Sequence, residues 1–480
     1  MSAQGEQAVV WGLVFVYCAA MVWFGLRVNR WIRSGSDFLV AGRDVSWVLQ
    51  GLGLSSIVVA GTTLATQGAI GYLSGMSAHW WVTGWCVAVA VGALAFAGFY
   101  RRTGAYTLSE WLGAYYGERV RLAASLALAI GCYFSPLANI LGGGVVLSGL
   151  TGMPTDWAVI MIGGIVATYL FCSGLWGALV TDLVQWILCV VAFLIIIPAY
   201  ALLGSHPGMW QRLPSSFWAL GSAPALPWFQ WTLPSVLGMF WLMFSIATGG
   251  FYWPRACSSR TVNETRKAWL LAVVISLPFG FVGGLAGMYL RAAGVELAVP
   301  DQAIGVFLQQ IPVLARALAV VGILAATMST VEAGVHAGSM VLVRDLGRHF
   351  GGGVAKQISA ARWITLVYTL AATAGAMGFN HLIPVLGSAM AVALLAGFLT
   401  SLIPPLLGTM MWRGSSKEGA FLGVIIATAT TFHTMFLSDI WRRYHPVFTG
   451  FIVSAVVFVL VSLLVRVSGP WWRERRQVAP

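Results

Sequence analysis

Apolar runs of 18 or more residues, the length that crosses a bilayer as α-helix, recur along this chain from end to end. The chain has 480 residues, of which 59% are hydrophobic and 9% charged, with a mean hydropathy of +0.84. A soluble protein carries about a quarter charged residues, so the sequence predicts an all-α polytopic membrane protein. Helices are expected near 7–27, 46–71, 80–100, 121–149, 156–171, 176–203, 233–254, 268–292, 313–343, 358–379, 382–411, 419–438 and 446–466, about thirteen in all. Nothing between them is long or polar enough for a separate soluble domain, so residues 1–480 read as one transmembrane domain.

A net charge of +12 would suggest nucleic acid in a soluble protein. Here the positions of the charges explain it. With the N-terminus outside, all of the 27 Lys and Arg fall in inside connections except Arg212, Arg291, Arg316, Arg442 and Arg443. The positive-inside rule then sets the topology, with a cytoplasmic C-terminus, and no nucleic-acid partner is needed. The start, MSAQGEQAVV, lacks a positive n-region and a small-residue cleavage site, which predicts a retained first helix. The cysteines Cys18, Cys86, Cys132, Cys172, Cys189 and Cys257 lack CxxC spacing and the histidines are scattered. Buried thiols are expected, with no disulfide or zinc centre and no organic cofactor.

Transport helices are often broken near the midplane, where freed carbonyls and helix ends form ion and substrate sites. The second span holds AGTTLATQGAIGYLSG (60–75) and the seventh holds IATGGFYWP (246–254). They lie five spans apart and so run in opposite directions, the footprint of an inverted five-helix repeat with a broken first helix in each half. Glycines also permit close helix packing; the matched pair favours a site.

Four further stretches stand out: SDFLVAGRDVSW (36–47), GLWGALVTDLVQW (174–186), PRACSSRTVNETRKA (254–268) and LAATMSTVEAGVHAGSMVLVRDL (324–346). They resemble motifs of the sodium/solute symporter family, which includes bacterial proline and sugar symporters and animal glucose and choline transporters. The resemblance implies a leucine-transporter-type fold of two inverted repeats, spans 2–6 and 7–11. A peripheral first helix and loop (1–45) would precede the repeats at 46–204 and 233–412, and two peripheral helices and a short tail (413–480) would follow. It also implies a sodium site. ATMST matches the motif that gives a carbonyl from Ala326 and hydroxyls from Ser329 and Thr330; the register of the second span selects the carbonyls of Ser56 and Val59. Oxygen ligands suit a hard cation, although membrane Ser and Thr also bond back to their own helix. Asp182 matches an acidic residue that the family links to sodium release or a second sodium. A helix-end carboxylate in interfacial water is the other reading. Some relatives with two sodium ions carry a hydroxyl where Ala326 stands, which weakens the case for a second ion. Pro254 stands before Arg255 where relatives often have Gln, so the inner gate is expected to differ.

Glu332 and His336 follow the Ser/Thr pair on one helical face. An intramembrane carboxylate marks an ion path or, with His336, a buried structural pair; both readings stand. Solute-binding candidates beside the breaks are Thr62, Thr63, Thr66, Gln67, Tyr133, Ser135, Asn139, Phe251, Tyr252 and Trp253. Trp80, Trp81 and Trp85 read as an interfacial belt or as lining of the outer entrance. No Arg or Lys lies at pocket depth, which argues against a dianionic solute, and the sequence does not choose between a caged organic cation and a stacked apolar ring. The function expected is secondary active transport, sodium driving a small organic solute inward by alternating access in the plasma membrane. Proton coupling through Glu332 or His336 is the nearest rival. A transporter-like sensor is disfavoured by the short tail after the last span, and an enzyme by the absence of a nucleophile–base pair. No obligate protein partner is evident.

Overall fold

The computed structural model describes residues 3–28, 40–172, 175–220, 225–226, 229–230, 233–346, 354–436 and 446–468. Part of the SDFLVAGRDVSW motif, Gly174, and the charges at Arg30, Arg33, Arg348, Arg442, Arg443, Arg473, Arg475 and Arg476 lie outside these residues.

The chain is almost entirely helical; the described strands are a two-residue pair, Ala225–Leu226 against Phe229–Gln230. Helix α1 (Ala3–Val28) is followed by a broken helix, α2 (Trp47–Val58) and α3 (Gly61–Ser74). Next come α4 (Trp80–Ala95), α5 (Ala97–Thr103), the short α6 (Leu108–Tyr116) and the long α7 (Glu118–Thr151). Helices α8 (Thr155–Cys172), α9 (Leu175–Cys189) and α10 (Ile197–Leu203) complete the first half, with a π-helical stretch, Val190–Ile196, joining the last two. The second half opens with another broken helix, α11 (Leu233–Thr248) and α12 (Trp253–Ser258). Then follow α13 (Val262–Val282), α14 (Leu285–Ala292), α15 (Ala303–Leu308), α16 (Val313–Val341) and α17 (Val354–Leu382). The chain continues through α18 (Gly387–Thr400), α19 (Ile403–Met411), α20 (Lys417–Phe436) and α21 (Pro446–Ser468).

Each expected span coincides with one of these helices or a consecutive pair. Among the described residues, eight helical stretches are long and apolar enough to cross a membrane. Helices α6 and α15 were not expected, since each is shorter than a span and lies in a connection. Packing repeats between the halves: α2 packs on α13 as α11 packs on α4, and α7 on α18 as α16 on α9. Helices α4 and α13, and α7 and α16, which hold corresponding places in the two halves, also pack on each other. This is the inverted repeat that the two broken spans foretold.

Each break has a local cause. In the first half, Val59 leaves the helical region (ψ 85°) and Ala60 is extended, so the break falls at the leading edge of the glycine-rich stretch. Thr63 Oγ1 takes the released Val58 carbonyl (2.7 Å). Asn139 Oδ1 of α7 accepts from the backbone N–H (3.2 Å) and hydroxyl (3.0 Å) of Thr62, capping the new helix start. In the second half, Gly250 sits at φ 103°, a backbone conformation open mainly to glycine. Pro254 in the first turn of α12 suits a helix start, where no N–H is needed. The Thr248 carbonyl left at the end of α11 is taken by Tyr100 Oη (2.7 Å).

Candidate functional site

The breaks bring most of the expected ion ligands together. Ser329 Oγ donates to the carbonyls of Ser56 (3.0 Å) and Ala326 (3.0 Å). Thr330 Oγ1 reaches the carbonyls of Ile57 (2.8 Å) and Ala326 (3.3 Å). Five oxygens from α2 and α16 therefore converge where α2 ends. Thr330 meets Ile57 rather than Val59, whose residue forms the cap of α2. Among these residues, Thr330 is the most accessible, at 6% exposure, and it also lines the neighbouring cavity.

That cavity, of about 60 Å³, lies between the two breaks. Among the candidates, Thr62, Thr63, Ser135, Asn139, Phe251 and Tyr252 line it. Trp81 and Trp85 also line it, so they belong to the interior and not to an interfacial belt. Their indole N–H groups are engaged, Trp81 with Thr63 Oγ1 (3.1 Å) and Trp85 with Tyr252 Oη (2.8 Å). Ile57, Val58 and Ala60 at the first break, Met243 and Ile246 of α11, and Val392 and Leu395 of α18 complete the wall. Sequence reasoning missed these seven because apolar residues in apolar helices carry no distinguishing mark.

Four candidates lie elsewhere. Gln67 Nε2 donates to the carbonyls of Ala78 and Gly280 (both 3.3 Å), and Thr66 Oγ1 is buried without a partner. Tyr133 Oη reaches Ala371 O (3.0 Å), and its ring packs against Phe134 and Tyr368. Trp253 is stacked on Tyr100 and donates to Ala105 O (3.0 Å), which fixes the start of α12.

Asp182 is not a carboxylate in interfacial water. It is fully buried inside α9 and paired through Oδ2 with Arg255 Nη1 of α12 at 2.8 Å. Arg255, 4% exposed, supplies the countercharge that a buried carboxylate requires. Around it, Gln50 Nε2 donates to Arg255 O and Ser259 Oγ to Gln50 Oε1, while Val45 N donates to Ser258 O (3.0 Å). The halves α2 and α12 are thus bound together at this end. Glu332 is buried in α16, within electrostatic reach of Tyr17 of α1, and His336 is half-buried one turn further on.

The fold and the cavity place the chain beside known transporters. The sodium:solute symporter family matches residues 38–213. The high-affinity proline transporter PutP of Bacillus subtilis is 25% identical over 456 residues, covering 89% of this chain and 92% of the relative. The sodium/proline symporter of Salmonella typhimurium is 23% identical, covering 96% and 94%. A Na+-coupled sialic acid symporter, solved substrate-bound and outward-open, superposes with a TM-score of 0.77 at 16% identity, covering 95% and 97%. A nucleobase-cation-symport-1 family transporter in a closed conformation gives 0.56 at 14% identity, covering 90% and 95%. The chain is a multi-pass membrane protein that resembles the sodium:solute symporter family over residues 38–213 and, along nearly its whole length, is similar to transporters rather than enzymes.

Proposed function

We propose that this chain carries sodium and a compact neutral or zwitterionic solute inward together, across a plasma membrane, with its N-terminus outside. The carrying observation is the convergence of the Ser56, Ile57 and Ala326 carbonyls with the Ser329 and Thr330 hydroxyls at the end of α2. Neutral oxygens from a broken helix match a monovalent hard cation. Val59 joins the set when its carbonyl turns inward. The solute site is the adjoining cavity, whose lining carries aromatic rings and no Lys, Arg, Asp or Glu. A net ionic charge would stand there without a counter-ion, whereas an apolar ring would stack on Trp81, Trp85, Phe251 or Tyr252. The named activity of the relatives makes proline the first solute to try. Thr330 touches both sites, so filling one organises the other. Asp182 and Arg255 form the inner gate, and Glu332 and His336 line the way out for sodium.

The test is thermal unfolding of purified protein against proline, choline, glucose, sialic acid and hydantoins, in sodium and in potassium. A ligand at 100 times its Kd should stabilise by roughly 2.7 kcal/mol, and it should do so only with sodium. Phe251→Ala should abolish the solute effect and leave stabilisation by sodium alone. A solute that stabilises equally in potassium, with acid in place of sodium, would assign proton coupling instead.

A further inference from the structure

The connection between α14 and α16 carries the single turn Pro300–Gln302 and α15, which lie across the C-terminal parts of α3 and α7. Gln302 Nε2 donates to Ser148 Oγ (3.3 Å) and Gln309 Nε2 to Gly149 O (2.6 Å), so the segment is fastened to α7. Asp301 makes a different connection. Both of its carboxyl oxygens accept from Leu386 N, at 3.1 and 3.0 Å. Leu386 is the residue before α18 and has φ 55°, an uncommon conformation for leucine. Helix α18 in turn supplies Val392 and Leu395 to the cavity wall. One buried carboxyl, 2% exposed, therefore joins the covering segment to a wall of the cavity.

We propose that Asp301 is a proton-operated latch: protonated, it holds residues 300–308 against the start of α18, and opening of this segment to water releases the proton. The reason is electrostatic. An ionised carboxylate shut away from water needs a countercharge, and among the described residues Asp301 has no ion pair. From α3 the nearest titratable group is Tyr72, whose hydroxyl donates to Val295 O and accepts from Leu297 N. Helix α7 brings the neutral Ser148, and α15 and α18 bring no charged side chain. Arg291, over the Tyr72 ring, and Glu296 are exposed in the preceding connection. Burial accordingly pushes Asp301 up to about 7, and the N–H groups of Leu386 and of Asp301 itself only partly oppose it. Once hydrated, the same carboxyl returns to about 4. The closed segment thus binds more protons between those values. Its closure is complete at the acid end, weakens as pH rises towards 7, and changes no further above that. Any effect on solute transport rests on the proposed cavity; the latch itself does not.

Hydrogen–deuterium exchange of the full chain in detergent and sodium chloride, without solute, tests this directly. After correction for the chemical exchange rate, opening in peptides covering 300–308 and 383–390 should rise about tenfold per pH unit from pH 5 to 7. It should then level off. Asp301→Asn, neutral at every pH, should keep slow exchange in both peptides with no slope, while residues 269–279 of α13, which hold no titratable side chain, show no slope in either protein. A flat wild-type profile, a slope shared with 269–279, or a slope retained in Asp301→Asn would each overturn the latch. If the Asn variant cannot be purified, the wild-type profile decides.

Discussion

Arg255→Met is expected to lower the stability of the protein by about 3–5 kcal/mol, because it leaves the Asp182 carboxylate buried without its partner. Asp182→Ala should cost a similar amount for the opposite reason, a guanidinium stranded between α9 and α12. The double variant Asp182→Leu/Arg255→Met should recover most of the loss, since a well-packed apolar pair replaces a buried ion pair at little cost. Thermal unfolding of the three proteins forms a double-mutant cycle whose coupling energy belongs to the pair. Single variants as stable as the wild type would show that water reaches the pair. The double variant also separates stability from gating: a folded protein that leaks sodium without solute would place the gate at this pair.

The second large effect concerns sodium. Ser329→Ala with Thr330→Ala removes two of the five converging oxygens and little packing volume. Each interaction of a polar group with a charge is worth about 1.5–3 kcal/mol, and 1.4 kcal/mol is tenfold in an equilibrium constant. The double variant should therefore need at least about a hundredfold more sodium for half-maximal stabilisation, with unfolding in sodium-free buffer shifted far less. Unchanged sodium dependence would remove these hydroxyls from the ion site.

Much of the architecture was legible because lipid restricts what a chain can do. Hydropathy located the helices, and the five-span offset between the glycine-marked stretches located the repeat. The Ser329–Thr330 pair was singled out through the resemblance of ATMST to a family motif, because polarity alone favours bonding back within the helix, and both hydroxyls do also reach Ala326 O. What stayed hidden had no such contrast. Val392 and Leu395 look like any other residues of α18, and only its packing against α7 turns them to the cavity. Tyr133, Trp253 and Gln67 erred in the other direction: each is polar or aromatic near a break, yet each is occupied by a carbonyl elsewhere in the fold. Asp182 was legible as a residue of importance but not as half of an ion pair, because its partner lies 73 positions away on the other broken helix.

The hydrogen bonds from Ser329 and Thr330 to the carbonyls of Ser56 and Ile57 bear on the half of a carrier's cycle in which nothing is bound. A cluster of carbonyl dipoles built only for a cation would repel itself once the cation left, and the helices around it would part. Here two rotatable O–H groups turn inward and satisfy the carbonyls, so α16 stays joined to the end of α2. The unloaded protein keeps a cohesive centre about which it can return to the outside. At the proposed ion site sodium would have to turn those O–H groups away in order to enter, so its affinity would be a difference between two bonded arrangements, and a modest affinity would let the ion leave again.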